Sequence, residues 1–177
     1  LWFDRAVAAQ VDYLPAYKSL IWALRPRWGG SQREMFNFAL ECLETGRFDT
    51  IVPLQYLIAC RSIAQEEKNK YGFFKRAQVS AGILDLSRGY MDSVNATFKG
   101  HNGAKLLFAA ANVHAGNYEF AHSILSRMDY TFPQPRLNLY TRIFKRENYS
   151  FITLAARYGS EISDRVARAE AVAESDP

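Results

Sequence analysis

Cysteine is scarce in this chain of 177 residues: only Cys42 and Cys60 occur. They form no Cys-x-x-Cys pair and no Cys/His cluster, which argues against a structural zinc site. Both fall within apolar helical patterns, so they are expected to be buried, reduced thiols in a cytoplasmic protein. A disulfide between neighbouring helices is the alternative. Long apolar runs are also lacking. The longest candidate, Leu14 to Leu24, is interrupted by Pro15 and Lys18, well short of the roughly 18 residues a membrane span needs. The expectation is therefore no membrane partner. The chain begins with Leu1 rather than Met, which leaves room for an upstream targeting segment or domain. Strand signals are few: there is no sustained apolar/polar alternation, and the single Asn-Gly, at Asn102-Gly103, lies between helical patterns and reads as an interhelical turn.

Signatures of catalysis are missing as well. No Gly-Lys-Ser/Thr phosphate loop and no Gly-x-Ser-x-Gly elbow occurs. The three histidines, His101, His114 and His122, have no Glu or Cys at ligand spacing, so polar surface or turn roles are expected of them. The carboxylates Glu41, Glu44, Glu66, Glu67, Asp85 and Asp92 sit at spacings typical of solvated helix faces, and none is marked for acid/base work. No catalytic residue, metal or cofactor is assigned. A net charge of +4, from 22 basic and 18 acidic residues, is too small and too evenly spread to indicate nucleic acid.

Hydrophobic residues make up 49% of the chain, and aromatics 14%, enough for a packed interior. Ser31-Gln32-Arg33-Glu34 has the form of a capping box. Met35, Phe38, Ala39, Cys42 and Leu43 then mark one helical face, and Gly46 ends the helix. Pro53 suits the first turn of a helix reaching about Gln65, with Leu54, Leu57, Ile58, Arg61 and Ser62 along it. Asn69 to Gly72 reads as a loop. Further helices are predicted over 74–88, 90–98, 104–115, 118–128, 136–146, 149–158 and 160–172. Two more precede Ser31, one up to Val11 and one from Pro15 to Leu24. The segment after Val172 reads as a frayed end. The whole, 1–177, is taken as one all-α domain of stacked antiparallel helix pairs, either a degenerate solenoid or a helical bundle.

Internal echoes support stacking. Phe38-Ala39 followed by Gly46-Arg47-Phe48 returns as Phe108-Ala109 followed by Gly116-Asn117-Tyr118, 70 positions later. That is about twice the ~34-residue tetratricopeptide period. Asn117-Tyr118-Glu119-Phe120 returns as Asn148-Tyr149-Ser150-Phe151. Gly116-Asn117-Tyr118 with Ala121, Leu125 and Pro133 resembles the turn and second helix of a tetratricopeptide repeat, with Ala109 at the small position of the first. Lys105 and Asn112 depart from that pattern, and 71–100 does not keep its register. Phe48, Tyr118 and Tyr149 are expected to be largely buried, each opening a second helix and wedged against the one before.

The most unusual segment is Arg25-Pro26-Arg27-Trp28-Gly29-Gly30-Ser31. It resembles a similar segment in an uncharacterised bacterial family of helical domains, where it precedes a helix carrying Met and Phe-Ala, as Met35, Phe38 and Ala39 do here. The resemblance is clearest over Tyr17 to Pro53; it implies a helical bacterial protein and brings no catalytic residues. As architecture, the segment is a strict turn with Trp28 docked in the core. As a site, Arg25, Arg27 and Trp28 gather around helix-terminal amides and bind a carboxylate or phosphate. Arg142 and Arg146, with Arg136 and Lys145, alternate with Tyr140, Phe144 and Tyr149 in the best basic-aromatic cluster, a second candidate surface. The expected function is a non-enzymatic interaction module, of adaptor, chaperone-like or toxin-neutralising type, whose partner is a protein or peptide with an acidic surface. The alternative is a small anionic-ligand-binding or enzymatic domain centred on Arg25–Ser31.

Overall fold

The computed structural model of the chain describes residues 2–67, 69–97 and 102–129. Among them are eight α-helices and no strand: α1 (Trp2–Ala9), α2 (Leu14–Ala23), α3 (Gln32–Glu44), α4 (Gln55–Ala64), α5 (Lys70–Phe74), α6 (Ala77–Asp92), α7 (Asn102–Ala115) and α8 (Tyr118–Ser126). A short 3-10 turn, Pro26–Trp28, joins α2 to α3. Contacts divide the chain into two compact units, Leu1–Gly100 and His101–Pro177. The expected helices beyond residue 129, with Tyr149, Arg142 and Arg146, lie outside the described residues.

In the first unit, α1 and α2 form a hairpin whose connection is tied by the Tyr17 hydroxyl, which donates to the Val11 carbonyl at 2.6 Å. Pro15 lies in the first turn of α2, where a missing amide hydrogen costs nothing. Phe3, Tyr17 and Phe38 meet as three rings with centroids 5.3, 5.5 and 6.2 Å apart, joining α1, α2 and α3. The capping box at Ser31 forms with altered wiring. Ser31 Oγ accepts from the Glu34 amide at 3.1 Å, but the Glu34 carboxylate accepts from the Ser31 hydroxyl, at 2.8 Å, rather than from its amide. Met35, Phe38, Ala39 and Cys42 are buried as expected; Leu43 is half-exposed. Gly46 ends the segment at φ +61°, a conformation open to glycine at little cost.

Next comes α4, which begins two residues after Pro53 and is more deeply buried than its sequence pattern implied, because α3, α5 and α6 all pack on it. Gln55, Tyr56, Leu57, Ala59, Cys60, Ile63 and Ala64 are buried, whereas Ile58, Arg61 and Ser62 are half-buried. The expected loop at Asn69–Gly72 instead opens α5: the Asn69 side chain accepts from the Gly72 amide at 2.7 Å and caps the turn. The expected break between 88 and 90 is absent. Gly89 lies inside α6 because the Phe48 ring rests on it and leaves no room for a Cβ. Residues 93–97 are not helical.

Two tyrosines fix α6. Near its start, the Tyr56 hydroxyl donates to the Val79 carbonyl (3.2 Å), and the Tyr56 ring lies where a Cβ of Gly82 would be. At its far end, the Tyr90 hydroxyl donates to the Thr50 carbonyl at 2.8 Å and accepts from the Leu54 amide at 3.2 Å. Phe48 stacks edge-on against Tyr90 at 5.1 Å. Phe48 is thus half-buried in the α3–α4 loop and packs on α6, instead of opening a second helix. Burial raises the pKa of both phenols, keeping them protonated as donors.

In the second unit, α7 and α8 form a tight hairpin. Nearly all of α7 from Gly103 to Ala115 is buried, as befits a helix apolar on every side. Asn102 and Gly103, expected in a turn, lie in its first turn. Its end is a Schellman turn. The Asn117 amide donates to the Asn112 carbonyl (2.8 Å), the Gly116 amide to the Val113 carbonyl (3.1 Å), and Gly116 has φ +81°. The buried Asn112 side chain donates to the Phe108 carbonyl (2.8 Å) and accepts from Asn117 (3.1 Å). Tyr118 opens α8 but is only half-buried.

The two tyrosine contacts lead to one test. Tyr90→Phe, which leaves a buried amide and carbonyl without their hydroxyl, is expected to lower stability by about 1–3 kcal/mol. Gly82→Ala is expected to cost a similar amount, roughly 1–3 kcal/mol, by overpacking against Tyr56. Tyr13→Phe, at an exposed position, should stay within about 0.5 kcal/mol of the parent. Urea denaturation of the three variants checks this.

Candidate functional site

The Arg25–Ser31 segment is a compact turn whose backbone closes on itself. The Trp28 and Gly30 amides both donate to the Arg25 carbonyl, at 2.9 and 3.3 Å, and the Gly29 amide donates to Pro26 at 3.1 Å. Gly29 takes φ +89°, and Gly30 lies against the Leu24 backbone where no Cβ fits. Trp28, expected in the core, is instead 54% exposed. The 3-10 turn lays it outward on Trp22, with ring centroids 4.4 Å apart, and Gly30 makes the close approach that the indole was expected to make. Arg27 is exposed and lies 4.0 Å from Glu66, a loose, solvent-screened pair. Arg25 is half-buried, and its Nε is shielded from water with no hydrogen-bond partner. The two arginines thus do not converge on one internal carboxylate.

A second feature was not visible in the sequence. Two neighbouring hollows lie between α3 and α6. One, of about 270 Å³, is lined by Gln32, Arg33 and Phe36 of α3, by Ile63 and Phe73, and by Arg76, Gln78 and Val79 at the start of α6. The other, about 360 Å³, is lined by Leu40, Leu43, Glu44 and Phe48 on one side and by Gln78, Ala81, Gly82 and Asp85 on the other. Gln78 borders both, so the two hollows lie end to end between α3 and α6, and together they are termed the groove. Early residues of both helices line the first hollow and later residues the second; α3 and α6 therefore run in the same direction, with α4 packed against both.

The groove exists because α3 carries a second apolar stripe. Phe36, Leu40 and Leu43 follow i, i+4, i+7 spacing beside the buried Met35–Phe38–Ala39–Cys42 face, and all three are half-exposed. Charge is sorted along it. Arg33 and Arg76 stand at the end where both helices begin, and Glu44 and Asp85 at the other end. Arg76 pairs with Glu67 at 3.1 Å and lies 5.0 Å over the Phe73 ring; Arg33, Glu44 and Asp85 are exposed. The sequence signal is the extra width that Phe36 and Leu40 give the apolar arc on α3; of the second stripe, the sequence pattern places only Leu43 on the core face.

The remaining candidates do not assemble a reactive centre among the described residues. His114, expected at the surface or in a turn, is buried at the end of α7. His122 is exposed, with its Nε2 3.5 Å from Ser126 Oγ. No group of three metal-ligating side chains occurs there. Glu41, Glu44, Glu66, Asp85 and Asp92 are exposed and Glu67 is half-buried. Cys42 and Cys60 are free, buried thiols, with no disulfide between them, and burial pushes each up to about 12. No helix among the described residues is long and apolar enough to cross a membrane. No known protein family, curated protein or solved structure matches the chain.

The thiols set a pH dependence. An unfolded thiol loses its proton near pH 9, whereas these hold theirs to about pH 12. The native state therefore binds more protons in that window, and stability present below pH 9 is lost as pH rises toward 12. Iodoacetamide at pH 8 should label neither cysteine until the chain unfolds, read by mass spectrometry.

The turn has its own test. Gly30→Val is expected to lower the melting temperature, because its Cβ meets the Leu24 backbone, while Arg27→Ala leaves it nearly unchanged. Millimolar phosphate is expected to leave the melting temperature of both the parent and Arg27→Ala unchanged. Protection of the parent alone would mark the turn as an anion site.

Proposed function

We propose that the chain is a non-enzymatic interaction module that holds a segment of a partner protein in the groove between α3 and α6. The observation that carries this reading is the second apolar stripe. Phe36 lines one of two adjoining hollows and Leu40 and Leu43 the other, and all three stay half-exposed instead of closing them. An apolar trough with a charged rim suits a protein or peptide partner, with acidic residues meeting Arg33 and Arg76. The order α3, α4, α6, with the two outer helices running the same way, agrees with a tetratricopeptide-like arrangement. In such an arrangement the first helices of successive pairs face the ligand. A cytoplasmic adaptor, chaperone-like or toxin-neutralising role in a bacterium fits this reading.

An anion-binding turn at Arg25–Ser31 is the second reading, favoured by the shielded, unpartnered Arg25 Nε and the exposed Arg27. The wiring of the turn weighs against it, because three of its amides are already committed to Arg25 and Pro26.

The module reading is tested with a photo-crosslinking residue at position 40 and, as control, at the exposed Ser19 of α2. In cells of the native host, position 40 should yield a discrete crosslinked partner that position 19 does not. A Leu43→Lys change alongside should abolish it. Identical crosslinks at both positions, or none at position 40, would overturn the reading.

A further inference from the structure

The groove has a direction, and that direction constrains its occupant. From Gln32 to Glu44 it follows α3 for about 18 Å, at 1.5 Å per residue, or a little over three helical turns. Its walls are helices whose backbone groups are used internally, so it offers no open strand edge. An extended segment laid there would find few partners for its amides and carbonyls beyond Gln32 and Gln78. A helix satisfies its own backbone and presents only side chains. Ala81, a small exposed residue on the α6 wall, lets such a helix approach closely.

Two electrostatic features then agree on orientation. Arg33 and Arg76 mark the end where α3 and α6 both present helix N-termini, with their partial positive charge. Glu44 and Asp85 mark the other end, where α3 presents its C-terminus. Glu67 already engages Arg76, which leaves Arg33 as the more available cation; Arg47, next to Phe48 at the other end, is paired with Asp49. A helix whose own C-terminus lies at the arginine end has its dipole opposed to those of α3 and α6, and the side-chain charges favour the same placement.

We propose that the groove takes a three-turn amphipathic α-helix from a partner protein, lying antiparallel to α3 and α6. An acidic side chain of its last turn would sit beside Arg33, and a basic side chain of its first turn beside Glu44 and Asp85. The proposal presupposes the interaction module and adds the partner's secondary structure, charge pattern and polarity.

The test uses the full chain and three fluorescein-labelled peptides of roughly 14 residues, the length of about four helical turns. All carry leucines at i, i+4 and i+7. The first has lysines in its first turn and glutamates in its last; the second has these charges exchanged; the third is the first with a central proline. In fluorescence anisotropy the first should bind, with the exchanged peptide weaker by roughly tenfold and the proline peptide weaker still. Combining Arg33→Glu with Glu44→Lys and Asp85→Lys, all at exposed positions, should invert the preference between the first two peptides. Equal binding of those two would overturn the polarity, and undiminished binding of the proline peptide would overturn the helix. Failure of all three peptides would overturn the proposal as a whole. So would self-association of the chain that Leu40→Lys abolishes, which would assign the groove to a second copy. In each case the crosslinking at position 40 still decides the module reading separately.

Discussion

The first unit depends on how α6 is held. Tyr56 pins its first turns from α4, and Tyr90 reaches back to bridge a carbonyl and an amide of the α3–α4 loop. The Tyr90 hydroxyl cannot be replaced by a better apolar contact, because the Leu54 amide and Thr50 carbonyl it meets would otherwise be buried without partners. The rings do the complementary work. Tyr56 occupies the space above Gly82, Phe48 lies on Gly89, and Phe48 and Tyr90 stack edge to face. Two glycines that would weaken an isolated helix become the places where neighbouring aromatics come closest. Because α6 is anchored at both ends, it cannot slide inward to cover the second apolar stripe of α3. The groove is thus a consequence of the same contacts that stabilise the unit.

That relation explains what was legible in the sequence. The capped start of α3 at Ser31 and its glycine stop at Gly46 are local chemistry, fixed by residues within a few positions of each other, and both are found where the pattern placed them. The same holds for Gly116 at the end of α7. The all-helical class follows from periodicity along the whole chain. What failed depended on distant partners. Gly89 reads as a breaker until Phe48, far away in sequence, is laid on it. Phe48 reads as the opening of a helix until Tyr90 draws it onto α6. Trp28 reads as a core residue because tryptophan is large and apolar, yet the 3-10 turn stacks it on an equally exposed Trp22. His114 reads as polar surface, but it ends a helix that is buried on nearly every side.

The candidate site was less legible than the fold. In the Arg25–Ser31 segment, unusual in composition, the glycines serve the turn, the Trp28, Gly29 and Gly30 amides are used within it, and the Ser31 cap belongs to α3. The groove residues are individually ordinary. Phe36, Leu40 and Leu43 look like part of one broad hydrophobic face, and only the position of α6 divides that face into a buried half and an open half. A helix apolar over a wider arc than one core contact requires is the signal, but periodicity alone cannot say which part of the arc stays uncovered.

Charge placement along the groove follows from the same geometry. Arg33 stands one residue into α3 and Glu44 is its last residue, on a helix whose dipole would favour the opposite arrangement, acidic at the start and basic at the end. Glu34 obeys that preference through its bond to Ser31. Arg33 and Glu44 do not, and neither does Arg76 at the N-cap of α6, whereas Asp85 lies at mid-helix, beyond the reach of the dipole of α6. Residues placed against their own helix dipoles give up a small amount of stability. Arg33, Arg76 and Glu44, with Asp85 beside Glu44, make a wall whose two ends differ in sign by more than the backbone alone would give. A helix lying in the reverse direction, with lysine or arginine early and glutamate or aspartate late, would recover those contributions at both ends of the groove. An uncharged apolar segment would recover none of them.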